Sequence, residues 1–145
     1  MRGFVVIATL ALLVVFGAGV ATASTASTPT TSLSITYWPN GKDETVKTTA
    51  TLRCSPVGGS LGTLARRVAA CQRLAGKTAP FARPRAGLLC TQQYGGPDQA
   101  LITGTFRGHG VYVGLGLKDG CQIARFKKLG FLVPGFSATR IGPGG

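Results

Sequence analysis

Residues 100–117 read ALITGTFRGHGVYVGLGL, and this stretch decides the fold class. Two apolar segments, Ala100–Phe106 and Val111–Leu117, flank the connection Arg107-Gly108-His109-Gly110. β-Branched and aromatic residues favour strands, and glycine supplies the positive φ that tight connections need. The stretch therefore predicts an antiparallel pair. Gly104, Gly114 and Gly116 within it point to bulges or close backbone approach.

Working outward, a second pair lies upstream. Leu33, Ile35 and Tyr37 alternate with Ser34, Thr36 and Trp38, the period of a half-buried strand. Pro39-Asn40-Gly41-Lys42 is a turn, and Val46, Thr48, Ala50, Leu52 and Cys54 then share one face of a returning strand. Between the two pairs, Thr63 to Ala75 predicts a helix capped by Thr63 and stopped by Gly76. Its apolar stripe is Leu64, Val68, Cys71 and Ala75, leaving Arg66, Arg67 and Arg73 in solvent. Lys77–Leu89, with two prolines and no period, is an exposed connector. After Cys121, the spacing of Ile123, Phe126 and Leu129 predicts a short amphipathic helix, with Phe131–Phe136 a last packed segment. Strand, strand, helix, strand, strand, short helix reads as an α+β domain built on an antiparallel sheet.

The first residues set the compartment. Met1-Arg2 is followed by an uncharged apolar run from Phe4 to Phe16 and a small-residue stretch ending in Ala21-Thr22-Ala23. That is the pattern of a cleaved secretory signal peptide, 1–23. The Gly/Ala/Ser/Thr-rich second half, with no basic cluster after it, argues against a membrane anchor. Residues 24–32 are a Ser/Thr-rich flexible lead, 33–136 the domain and 137–145 a loose tail. Four cysteines, Cys54, Cys71, Cys90 and Cys121, imply two disulfides in a secreted chain, and spacing leaves three pairings open.

Composition argues for recognition over chemistry. His109 is the only histidine, the four carboxylates are Asp43, Glu44, Asp98 and Asp119, and the cysteines are committed to disulfides. No assembled nucleophile and base, carboxylate pair, phosphate loop or zinc spacing is present, so no catalytic residue, metal or cofactor is expected. The net charge of +12 comes from scattered basic residues in runs no longer than two, without a nucleic-acid signature. A field of that sign still attracts polyanions, so a secreted basic module that sits on anionic envelope polymers is one functional reading.

Four segments carry a more specific message: Thr51-Leu52-Arg53-Cys54-Ser55-Pro56-Val57-Gly58-Gly59, Ala70-Cys71-Gln72-Arg73-Leu74, Cys90-Thr91-Gln92-Gln93-Tyr94, and Gly104-Thr105-Phe106-Arg107-Gly108 before Cys121. In order and spacing the chain resembles the Streptomyces subtilisin inhibitor family over about Leu33–Leu129. The resemblance implies a sheet of about five strands with two helices, the pairs Cys54–Cys71 and Cys90–Cys121, and a homodimer. It also implies a secreted inhibitor of serine endopeptidases, subtilisin-like or trypsin-like, whose reactive bond is Gln92–Gln93, with Leu89, Cys90, Thr91 and Tyr94 completing the protease-contact loop. Two departures stand out. Leu61-Gly62 replace the family's His-Pro, and Tyr94-Gly95-Gly96-Pro97 adds a residue and two glycines after the scissile bond, which predicts a softened second half of the loop. Arg85–Ala86, in the exposed connector, is the competing cleavage site for a trypsin-like enzyme.

Overall fold

A computed structural model describes residues 30–42 and 45–141. The expected signal peptide, 1–23, and most of the expected Ser/Thr-rich lead lie outside the described residues. Five strands, β1 (Ser32–Trp38), β2 (Thr48–Cys54), β3 (Val57–Gly59), β4 (Gln99–Phe106) and β5 (His109–Leu115), form one antiparallel sheet in the order β3-β2-β1-β4-β5. Two helices, α1 (Leu64–Ala75) and α2 (Gly120–Leu129), pack on it. The α+β class and both disulfides are as the resemblance implied, with Cys54 bonded to Cys71 and Cys90 to Cys121.

Alternation in β1 works as its sequence dictates. Leu33, Ile35 and Tyr37 are buried, while Ser34 and Thr36 lie on the opposite, partly open face. β1 is central because both its edges are paired, Ile35 standing between Ala50 of β2 and Ile102 of β4. β2 starts later than expected: Val46 is exposed and unpaired, and only Ala50 and Leu52 face the core. β3 follows a two-residue turn at Ser55-Pro56 and pairs back on β2, a strand too short for any period to reveal. The β4–β5 turn is also tighter than expected. Phe106 pairs with His109, so Arg107 (φ 50°) and Gly108 (φ 80°) alone make the turn, and both adopt the left-handed backbone of hairpin turns. Gly104 is obligatory, since a Cβ there would lie 2.2 Å from the Ser32 carbonyl oxygen across β1; Gly114, by contrast, faces open space.

α1 is capped as predicted, the Arg66 N–H donating to Thr63 Oγ1 at 3.2 Å and Gly76 ending the helix. Its buried face differs from the predicted stripe. Ala70 and Leu74 enter the core, whereas Leu64 is exposed. Arg66 is half-buried, donating Nη2 to the Val133 carbonyl at 2.9 Å. α1 lies over β2 and β3, and α2 lies against β5. α2 buries Ile123, Phe126 and Leu129, and Leu132 and Val133 close the same core. Burying each such side chain stabilises by about 1.5–3 kcal/mol. The packed residues extend beyond 33–136 at both ends. The Thr30 and Thr31 carbonyls accept from Gly108 and Cys54, and Ile141 is buried after a 3₁₀ turn at Ala138–Arg140.

Candidate functional site

Between the connector and β4, residues 88–98 form neither helix nor strand. The segment is an irregular loop with its large apolar side chains in solvent: Leu88, Leu89 (97 % exposed) and Tyr94 (67 %). Thr91 and Gln92 are exposed and Gln93 is half-buried. All six residues expected at the site, Leu89 to Tyr94, therefore share one accessible segment.

Two anchors hold it. On the N-terminal flank the Cys90–Cys121 disulfide ties the loop to the first turn of α2, with Cα atoms 5.4 Å apart. Next to it the Gly120 N–H donates to the Thr91 carbonyl at 3.0 Å. On the C-terminal flank the Gly95 N–H donates to the Leu117 carbonyl at 2.8 Å. Gly95 is buried, and a Cβ there would stand 3.0 Å from Ile123 and 3.3 Å from Ile141. The expected softening is thus replaced by close packing, which the missing side chain allows. Between the anchors Gln92, Gln93 and Tyr94 make no hydrogen bond among the described residues.

Asp98 completes the C-terminal anchor and was not singled out in the sequence. It is 3 % exposed, accepts a short hydrogen bond from the Tyr37 hydroxyl of β1, and faces Arg140 Nε at 3.5 Å. Burial first, then the hydrogen bond to Asp98, push the Tyr37 hydroxyl pKa well above its ordinary range. No local pattern announces this cluster, because Tyr37 and Asp98 are 61 residues apart.

The remaining chemistry is spare. Cys90, Asp119 and Cys121 approach one another, but both sulfurs are spent in the disulfide. The Asp119 carboxylate caps α2, accepting from the Gln122 N–H at 2.9 Å and from Gln122 Nε2 at 2.7 Å. His109 opens β5 on the surface. A model of the subtilisin inhibitor-like family matches residues 27–114, well over half of the chain. The chain belongs to the subtilisin inhibitor-like family. That is a family of inhibitors rather than enzymes, typically secreted, with a protease as partner. No curated protein matches the chain. Among the described residues no helix is long and apolar enough to cross a membrane.

Proposed function

We propose that this subtilisin inhibitor-like protein is secreted and inhibits subtilisin-like serine endopeptidases by presenting Gln92–Gln93 as a substrate-like bond. The observation that carries the reading is the stretch 92–94, neither helix nor strand, with Gln92 and Tyr94 exposed, Gln93 half-buried and no internal hydrogen bonds, held between anchors on both sides. A protease cleft binds such a strand through its backbone, with side chains entering alternate pockets. Because the strand is already held, little ordering entropy is lost on docking. Leu89, fully exposed, suits an apolar pocket on the unprimed side, and Tyr94 a contact beyond the bond.

The same anchors explain inhibition without turnover. Attack of the protease serine on the Gln92 carbonyl expels the Gln93 amine, which Gly95 and Leu117 keep near the acyl group that Cys90 and Cys121 fix in place. Held at the high effective concentration of an intramolecular partner, the amine re-forms the peptide bond faster than water diverts it. Titrating subtilisin and trypsin against the purified protein tests the proposal, with mass spectrometry locating the first cleavage. The expected result is stoichiometric loss of subtilisin activity and slow cleavage at Gln92–Gln93. Early cleavage at Arg85–Ala86, with inhibition indifferent to every substitution of Gln92, overturns it. The homodimer implied by the resemblance belongs to the same proposal, and sedimentation velocity reads it directly.

A further inference from the structure

Beside the loop, a trough runs between the connector, α2 and the end of β5. Arg83 and Arg85 line it from the connector, and Arg125 and Lys128 line it from α2, one turn apart. It encloses about 790 Å³ there and continues past Arg85 and Arg125 into a second hollow of about 490 Å³ that Lys118 helps to line. The one carboxylate on its walls, Asp119, is engaged by Gln122. Among the described residues none of the five cations has an acidic partner, Arg140–Asp98 being the only ion pair there. The cations are also presented in a held frame. Arg125 donates to the Ala82 carbonyl at 3.1 Å, which fastens the connector to α2, and Pro80 and Pro84 restrict the connector's backbone.

We propose that this trough binds a linear polyanion bearing phosphate or sulfate groups. Arginine forks match the oxygens of both groups bidentately, and a row of unneutralised cations gains by releasing a polymer's counterions. Two joined hollows suit a strand better than a single ion. Arg125 is half-buried and shares the walls with the exposed Leu88 and Leu89, so a thin polymer suits the hollow better than the flat surface of an acidic protein. The larger hollow borders the loop, with Leu89, Cys90, Thr91 and Gln93 on its walls, but its cations lie outside the Gln92–Gln93 bond and the assignment does not rest on the inhibitory reading.

Titration of the purified protein with heparin, with inorganic polyphosphate and with poly-glutamate, at several salt concentrations, tests the assignment. Four or five released counterions predict a slope of log K against log[salt] of about −3 to −4 for heparin, polyphosphate or both, and the arm that binds names the sulfate or phosphate source. The double variant Arg83→Ala/Arg85→Ala, at exposed positions outside the core, is expected to flatten that slope by about 1.5 and weaken binding at least about tenfold at about 0.1 M salt. Removing equal charge elsewhere, in Lys47→Ala/Lys77→Ala, is expected to change it less than about twofold. Gln92→Leu is expected to leave it unchanged, so failure here is distinct from failure of the inhibitor. Absence of binding to both heparin and polyphosphate overturns the proposal. So does equal weakening in the Lys47/Lys77 control. Poly-glutamate binding as tight, with the same dependence on Arg83 and Arg85, also overturns it, in favour of an acidic protein partner.

Discussion

The two flanks of residues 92–94 are held by different physics. The N-terminal flank relies on one covalent bond, Cys90–Cys121, and one hydrogen bond to Thr91, while Leu88 and Leu89 beside it stand in solvent. The C-terminal flank has no covalent link to the body. Gly95 is wedged under Ile123 and Ile141, and Asp98 is buried with Tyr37 and Arg140. A disulfide restrains the chain whether or not its neighbours pack, and it survives cleavage of the backbone. Packing restrains only while the core is intact, but it spreads the restraint over many atoms. The two flanks should therefore fail differently.

The largest effect should come from breaking the covalent flank. Cys90→Ser/Cys121→Ser opens a loop with a sequence separation of 31, and removal of its chain-entropy restraint should lower stability by about 3–4 kcal/mol. Inhibition should become temporary, protease activity recovering as the loop is cut and its ends part; urea unfolding and a residual-activity time course read the two losses. Gly95→Val attacks the packed flank with the disulfide in place. Overpacking against Ile123 and Ile141 should remove about 1–3 kcal/mol, and the variant should be cleaved faster after Gln92 than the parent in a mass-spectrometric time course.

Tyr37→Phe is milder and carries a pH signature. It removes the buried donor to Asp98, at about 1–3 kcal/mol near neutral pH. In the parent, the raised Tyr37 pKa means that the folded state favours the protonated phenol. That stabilisation is complete below the ordinary tyrosine value of about 10 and is lost as pH rises through the higher folded value. Urea midpoints of the parent should therefore fall on going from about pH 9 to about pH 11, and those of Tyr37→Phe should fall less. The smallest change in stability belongs to the segment between the flanks. Gln92→Leu and Gln92→Lys should alter the melting temperature little, within about 0.5 kcal/mol, while shifting inhibition toward subtilisin and trypsin respectively. A large loss of stability there would show that Gln92 is part of an anchor.

The parts of this arrangement that were legible in sequence are those governed by local periodicity. Leu33, Ile35 and Tyr37 alternate, and Ile123, Phe126 and Leu129 recur at helical spacing, so both elements follow from the pattern. α1 was legible in its ends but not in its face. Cys71 is drawn sideways to Cys54 at the end of β2, which turns Ala70 and Leu74 inward and leaves Leu64, in the first turn, outside. The loop's position followed from family motifs around Cys90. Its C-terminal anchor did not, because Gly95 reads as flexibility until Ile123 and Ile141 are seen against it, and Asp98 reads as a surface acid until Tyr37 is seen beneath it. Non-local contacts of this kind leave no trace in spacing.

The depth at which Ile141 is buried has a practical consequence for anyone shortening this protein for display or fusion. A version trimmed to residues 33–136 keeps both disulfides and every strand but the first residue of β1, and would look complete on an alignment. It would nevertheless lose the isoleucine that closes over Gly95 and the arginine beside Asp98. At the other end it would lose the Thr30 and Thr31 carbonyls that hold the β4–β5 turn and the end of β2. A transplantable unit therefore includes both Thr30 and Ile141, and a carrier protein is better joined outside those two residues than at the edges of the sheet.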